Sequence, residues 1–175
     1  GKLDLNANIV DAVSLSVSGT SNLGANVTTS GTQTYTGAVT LSTDVTLTTT
    51  DSNVTFSSTV DGDGTARDLT LTLGSGNATF SGIVGTTSLA DITLNSSATF
   101  NAALTADNLT IAANKTATVK DDVTIASTIA LSGSSTLAVL NASSMTIAGT
   151  ITDTGSGNTI SVNDSTANAT PDEVT

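Results

Sequence analysis

From Asp68 the chain reads Asp-Leu-Thr-Leu-Thr-Leu, breaks at Gly-Ser-Gly-Asn, and resumes with Ala-Thr-Phe. Strict alternation puts Leu69, Leu71 and Leu73 on one side of an extended strand and Thr70 and Thr72 on the other. The small, polar stretch at 74–77 marks a turn into a second strand, Ala78–Phe80, and Ile83–Val84 reads as a third. The pattern then recurs: "NVTFSSTV" at 53–60, "NATFSGIV" at 77–84, "SATFNAAL" at 97–104 and "TATVKDDV" at 116–123 share one form, with "TQTYTGAV" at 32–39 and "STLAVLNA" at 135–142 as looser copies. Their anchors, Tyr35, Phe56, Phe80, Phe100 and Val119, are spaced 21, 24, 20 and 19 residues apart.

A second element keeps the same period. It reads "DVTL" at 44–47, "DLTL" at 68–71, "DITL" at 91–94 and "NLTI" at 108–111, with "STIAL" at 127–131 and "SMTI" at 144–147 as later candidates. Two motifs in phase mean a structural repeat. A unit of about 20 residues cannot bury its apolar side alone, and stacking removes the problem by making each unit one coil of a parallel β-solenoid. The expected fold is therefore all-β, with seven to eight coils rising about 4.8 Å each into a rod roughly 35 Å long. Residues 1–162 form the repeat domain in this reading, and 163–175 a tail that is partly disordered or links to a further module.

Composition narrows the core. Aromatics are 2% of the chain, with no Trp and no His, so the interior must be narrow and aliphatic, with Tyr35 and the three Phe as fillers. Fifteen acids against four bases give a net charge of −11, which argues against nucleic acid and anionic membrane as partners. No apolar run approaches the roughly 18 residues of a spanning helix, and "GKLDLNANIV" lacks the form of a signal peptide. The absence of Cys removes disulfides and thiolate chemistry.

The stretch "VTTSGTQTYTGAVTLSTDVTLTTTDSNVTFSSTVDGDGTARDLTLTL" at 27–73 resembles the Thr/Gly-rich strand repeats of filamentous-haemagglutinin-like adhesins, autotransporter passengers and other giant bacterial surface proteins. The likeness runs over residues 3–162 and is one of repeat style, without an invariant motif, so no binding residue carries over. It implies a right-handed β-helix at the cell surface or outside the cell, serving as a stalk, fibre or adhesive surface. The implied partners are adjoining solenoid segments or further copies, joined through strand edges, and a host or surface glycan. Uncapped tips lead to two expectations: a segment of a longer passenger, or a subunit that assembles end to end into filaments. A carbohydrate- or ice-binding module and a phage fibre segment are the alternatives.

Asp61, Asp63 and Asp68 start like a calcium loop, but the twelfth position of an EF-hand frame falls on Thr72, inside a strand. That excludes an EF-hand and leaves a looser Ca²⁺ site on these carboxylates as the metal candidate; no cofactor is required. Asp44, Asp68, Asp91 and the Asp107–Asn108 pair recur just ahead of successive strands. Stacked about 5 Å apart, neighbouring carboxylates would repel by roughly 0.8 kcal/mol even in a water-like dielectric. Stagger and salt screening, or bound cations, are the expected relief. The Thr rows at Thr46–Thr48 and Thr70–Thr72 suggest an ice-binding lattice, against which stand the variable coil length and interruptions such as "LTI" and "IAL". A polysaccharide lyase or hydrolase needs paired acids at a fixed separation and its groove usually carries stacking aromatics; with no His or Trp, and with Tyr35 and the three Phe read as core fillers, the chain reads as a non-enzyme. Asn-x-Thr sequons at Asn26, Asn53, Asn77, Asn108 and Asn114 follow from Asn-closed turns ahead of Thr-rich strands.

Overall fold

A computed structural model describes residues 1–142 and 144–163. Among them there is no helix, and the strands form three columns of eight rungs each, so the chain makes eight coils. The first face begins with Leu3–Leu5, Ser21–Leu23, Val39–Leu41 and Val60–Gly62. The second begins with Ile9–Ala12, Val27–Thr29, Val45–Thr49 and Leu69–Thr72. In coils five to seven these two faces are joined by the long strands Val84–Leu94, Leu104–Ile111 and Val123–Ser132, which bend at the corner where the register shifts. The third face is separate and runs from Leu15–Val17 through Ala78–Phe80 to Thr159–Asn163.

Every strand pairing is parallel. The fold is thus the parallel β-solenoid that the repeat implies. Val17 pairs with Tyr35, Tyr35 with Phe56, Phe56 with Phe80, Phe80 with Phe100, Phe100 with Val119, and Val119 with Val139. The anchors read from the sequence are one physical column. Variation in coil length is taken up at the corners, as in the loop between Gly62 and Leu69 of the fourth coil and the register shift within Val84–Leu94 of the fifth.

Alternation within each strand does the sorting. Leu69, Leu71 and Leu73 are fully buried while Thr72 is exposed. Stacked coils then bring like onto like, as with Leu47, Leu71, Leu94 and Ile111 on the second face. Under the third face the aromatic rings stack nearly parallel, with centroids 5.2 Å apart for Tyr35–Phe56 and 4.6 Å for Phe56–Phe80 and Phe80–Phe100. This spacing is the rung spacing of a parallel sheet, so the ladder itself holds the rings within contact distance.

Polar groups inside this core have local answers. Gln33 is fully buried; its amide donates to the Thr48 carbonyl at 3.0 Å and the Val27 carbonyl at 3.3 Å, while its oxygen accepts from the Tyr35 hydroxyl at 3.1 Å. Burial pushes the Tyr35 phenol pKa well up, so it stays a donor at any ordinary pH. Ser21 is different. It faces inward between Leu3 and Val39, and among the described residues its hydroxyl has no partner.

Three sequence readings change. "SMTI" does not continue the second-face series: Met145–Ile147 pairs with Val123–Ile125 on the first face, and Ile151 is the residue opposite Ile129. Its pattern of one polar residue and alternating apolar ones fits either face, and only the ladder distinguishes them. Ile83 lies outside the strand that starts at Val84 and is 42% exposed. The ladder also reaches Asn163, one residue beyond the expected boundary, and the remaining tail lies outside the described residues.

Two substitutions test this core. Phe80→Ala opens a gap between two rings and should cost about 3–5 kcal/mol in denaturant unfolding. Ser21→Ala removes an unpaired hydroxyl and should raise the melting temperature. A loss below 1 kcal/mol for the first, roughly that of an ordinary surface change, or a lowered melting temperature for the second, would contradict the packing described.

Candidate functional site

The acids ahead of the second-face strands are the strongest candidate cluster. In a parallel ladder each strand needs acceptors for the amides facing the previous coil. At the corner the chain has turned away and leaves a gap in that row. Side chains fill it. Asp68 donates its backbone N–H to Asp44 Oδ1 at 3.1 Å, and Asp91 donates its own to Asp68 Oδ1 at 3.1 Å. Asn108 then donates its side-chain amide to Asp91 Oδ1 at 2.6 Å. Towards the first coil two Asn make the same kind of link two residues further along the strand, level with Thr46 and not with Asp44: Asn26 N–H donates to Asn8 Oδ1 at 3.0 Å, and Thr46 N–H to Asn26 Oδ1 at 2.8 Å. The acids are hydrogen-bonded links from coil to coil.

This answers the repulsion between stacked carboxylates in a way that neither cations nor stagger supplies. Each carboxylate of the file accepts an N–H whose dipole offsets its charge, and Asn108 in place of Asp ends the run of like charge beyond Asp91. A second file at the corner before the third face works similarly. Ser75 N–H donates to Asp51 Oδ1 at 2.8 Å and Asn77 N–H to Asn53 Oδ1 at 2.9 Å. Asp51 itself has φ of 53°, a left-handed conformation that Asp tolerates better than most residues.

The proposed metal ligands do not converge. Asp61 Oδ1 accepts from Thr87 N–H at 3.1 Å on the next coil, and Asp68 is committed to Asp91. Asp63 folds back into its own loop, where Arg67 binds it through Nε at 3.1 Å and a terminal guanidinium nitrogen at 2.9 Å, and Thr65 N–H adds a third bond at 3.2 Å. Among the described residues no three Asp, Glu, His or Cys side chains gather into a group that could hold a metal ion. Asp107 accepts from the Ser88 hydroxyl at 3.4 Å rather than joining the file beside Asn108. A shallow open groove of about 410 Å³ runs along the first three coils, and the linking side chains of Asn8, Asn26 and Asp44 form part of its lining.

Sequence reasoning found Asp44, Asp68 and Asp91 but missed Asn8 and Asn26 above them, and missed the Asp51 and Asn53 file. The available signal was an Asp or Asn immediately ahead of the apolar residue that opens each second-face segment, at Asn8, Asn26, Asp44, Asp68, Asp91 and Asn108, which treating Asn as acid-like would have revealed. Of the sequon residues named above, Asn26, Asn53 and Asn108 have side chains engaged between coils.

The Arg67 guanidinium holds the Asp63 carboxyl below the usual carboxylate range, and the Ser75 amide, helped by the Ser75 hydroxyl, does the same for Asp51. Since both folded pKa values lie below the unfolded value of 3.8, their stabilising effect is complete above that value and is lost as pH falls through the lower folded ones. The double variant D51N/D63N should lose melting temperature less steeply than the native chain below about pH 4. Superimposable acid limbs would show that neither carboxylate has the role described. No family model, curated protein or solved structure matches the chain.

Proposed function

We propose that this chain is a rod-forming module of an extracellular bacterial surface protein, a stalk, fibre or adhesin passenger. The observation that carries this reading is the uninterrupted run of three parallel columns over eight coils. Such a ladder adds about 4.8 Å of length per coil. It can be extended by further coils without redesigning any part of the core. Acidic and hydroxyl-rich sides suit a body surrounded by water, and the net charge of −11 keeps neighbouring rods apart. The aliphatic residues of the end coils, Leu3, Ile9 and Leu15 on one side and Ile147, Ile160 and Val162 on the other, are only partly buried. They suit contact with an adjoining solenoid segment or a second copy.

Surface labelling of the source cells tests the proposal. An antibody against the purified chain should label intact cells, and brief protease treatment of those cells should release fragments carrying this sequence. Labelling restricted to broken cells would overturn it.

A further inference from the structure

The third face differs from the other two in charge. Its outward side chains form three files along the rod, and the middle one runs through Thr34, Thr55, Thr79, Thr99 and Thr118 with every neighbour paired in register. The flanking files hold short polar side chains such as Asn53, Asn77, Ser57 and Ser81, with Lys120 as a cation. No carboxylate stands on any of the three files. On the second face, by contrast, Asp44, Asp68 and Asp91 line the leading edge, and Asp4 and Asp61 point outward from the first. In a chain of net charge −11, one side has been left free of acids.

That side is also flat and regular. The stacked rings of Tyr35, Phe56, Phe80 and Phe100 lie in the same strands, one residue beyond Thr34, Thr55, Thr79 and Thr99, and successive rings are within 11° of parallel. Coil spacings of 21, 24, 20 and 19 residues leave the row unbroken, because the extra residues sit at corners. The objection that variable coil length spoils a hydroxyl lattice therefore does not apply to this face. Among the described residues none of the five Thr hydroxyls takes part in a hydrogen bond, whereas Ser97 and Asn53 beside them are occupied by amides of the next coil.

Charge, area and chemistry select the partner. An acid-free face in an acidic molecule suits an uncharged surface. With seven steps of about 4.8 Å and a width of about 13 Å, the face offers roughly 450 Å². That is about half of what one side of a stable protein interface buries, and the face has almost no apolar anchors. A soluble sugar would exchange water hydrogen bonds for equivalent ones and find no aromatic to stack on, since Tyr35 and all three Phe are buried. A partner whose own groups are already fixed at a regular spacing avoids the ordering cost that a mobile ligand pays, and gains with every rung. We infer that the third face is an adsorption surface for ordered water, the surface of ice. This goes beyond the rod reading and does not depend on where the protein resides.

The test is slow freezing of a dilute solution of the purified chain, with thermal hysteresis measured in parallel. The native protein should be taken up into the growing ice and should separate its freezing and melting points. Thr79→Tyr with Thr99→Tyr retains good strand formers but breaks the flatness, and uptake should fall to that of an inert protein. Thr46→Tyr with Thr70→Tyr on the second face should leave uptake unchanged. Circular dichroism establishes that each variant is folded, and the single variant Thr99→Lys replaces the Tyr pair if that pair does not fold. Exclusion of the native protein from ice, equal loss from the second-face pair, or binding to crystalline β-glucan without uptake into ice would each overturn the inference.

Discussion

In a parallel stack, every side chain that points inward meets its own equivalent about 4.8 Å above and below. The whole interior follows from that requirement. A column can be filled only by groups that pack well against copies of themselves, which favours β-branched and aliphatic side chains and flat rings laid parallel. Tyr35, Phe56, Phe80 and Phe100 satisfy it as a continuous stack, and Val119 and Val139 continue the same column once the rings end. The chain is poor in aromatics for the same reason. A narrow prism has room for about one large ring per coil.

Corners escape this rule, which explains where the irregularity is found. Long strands in coils five to seven turn through a corner without leaving the ladder, whereas the fourth coil inserts a loop held by the Asp63–Arg67 pair. Where corner backbones approach closely, small residues are required. A Cβ on Gly82 would lie 2.6 Å from the Ser58 carbonyl carbon, so the Gly in "SGIV" is a spacing device for the coil below. Where corner backbones separate, an Asp or Asn reaches across and supplies the missing acceptor. Acids at these corners face a repulsion of under roughly 1 kcal/mol per pair in a water-like dielectric. A hydrogen bond to a charged acceptor contributes about 1.5–3 kcal/mol. The bond wins, and the acidic edge is compatible with a stable ladder.

The fold was legible because side-chain period and coil period are both written in the residues. Alternating Leu and Thr at 69–73 specifies a strand with one buried side, and the aromatic recurrence from Tyr35 to Phe100 specifies which residues stack. Legibility stopped where local pattern is shared by two faces, and "SMTI" shows it: its alternation suits either column, and only the pairing of Met145 with Val123 places it. The first coil was harder to see because Val17 stands where later coils carry Tyr35 and the three Phe. At the candidate site, Asp44, Asp68 and Asp91 were visible as a recurring acid, but the purpose of the recurrence was not. A carboxylate that accepts a backbone amide from the next coil looks the same in sequence as one that awaits a cation. Asn8 and Asn26 share the task without the charge, and that equivalence of Asp and Asn is what identifies the role as hydrogen bonding.

Stability built from neighbouring rungs has consequences for what such a molecule can do. Each coil touches mainly the one above and the one below, so cohesion is distributed along the axis and not concentrated at a centre. An inserted loop such as residues 63–68 is accommodated at its corner while the strands on either side remain in register. Recognition therefore has little to gain from the interior, which is filled by columns of identical groups. It must be carried by length or by the outer faces, where a rung-to-rung repeat turns one side chain into a row. The acids provide such a row along one edge, but one oxygen of each is already hydrogen-bonded between coils. The Thr file of the third face has no such internal task, and its chemistry is left for whatever meets the rod from outside.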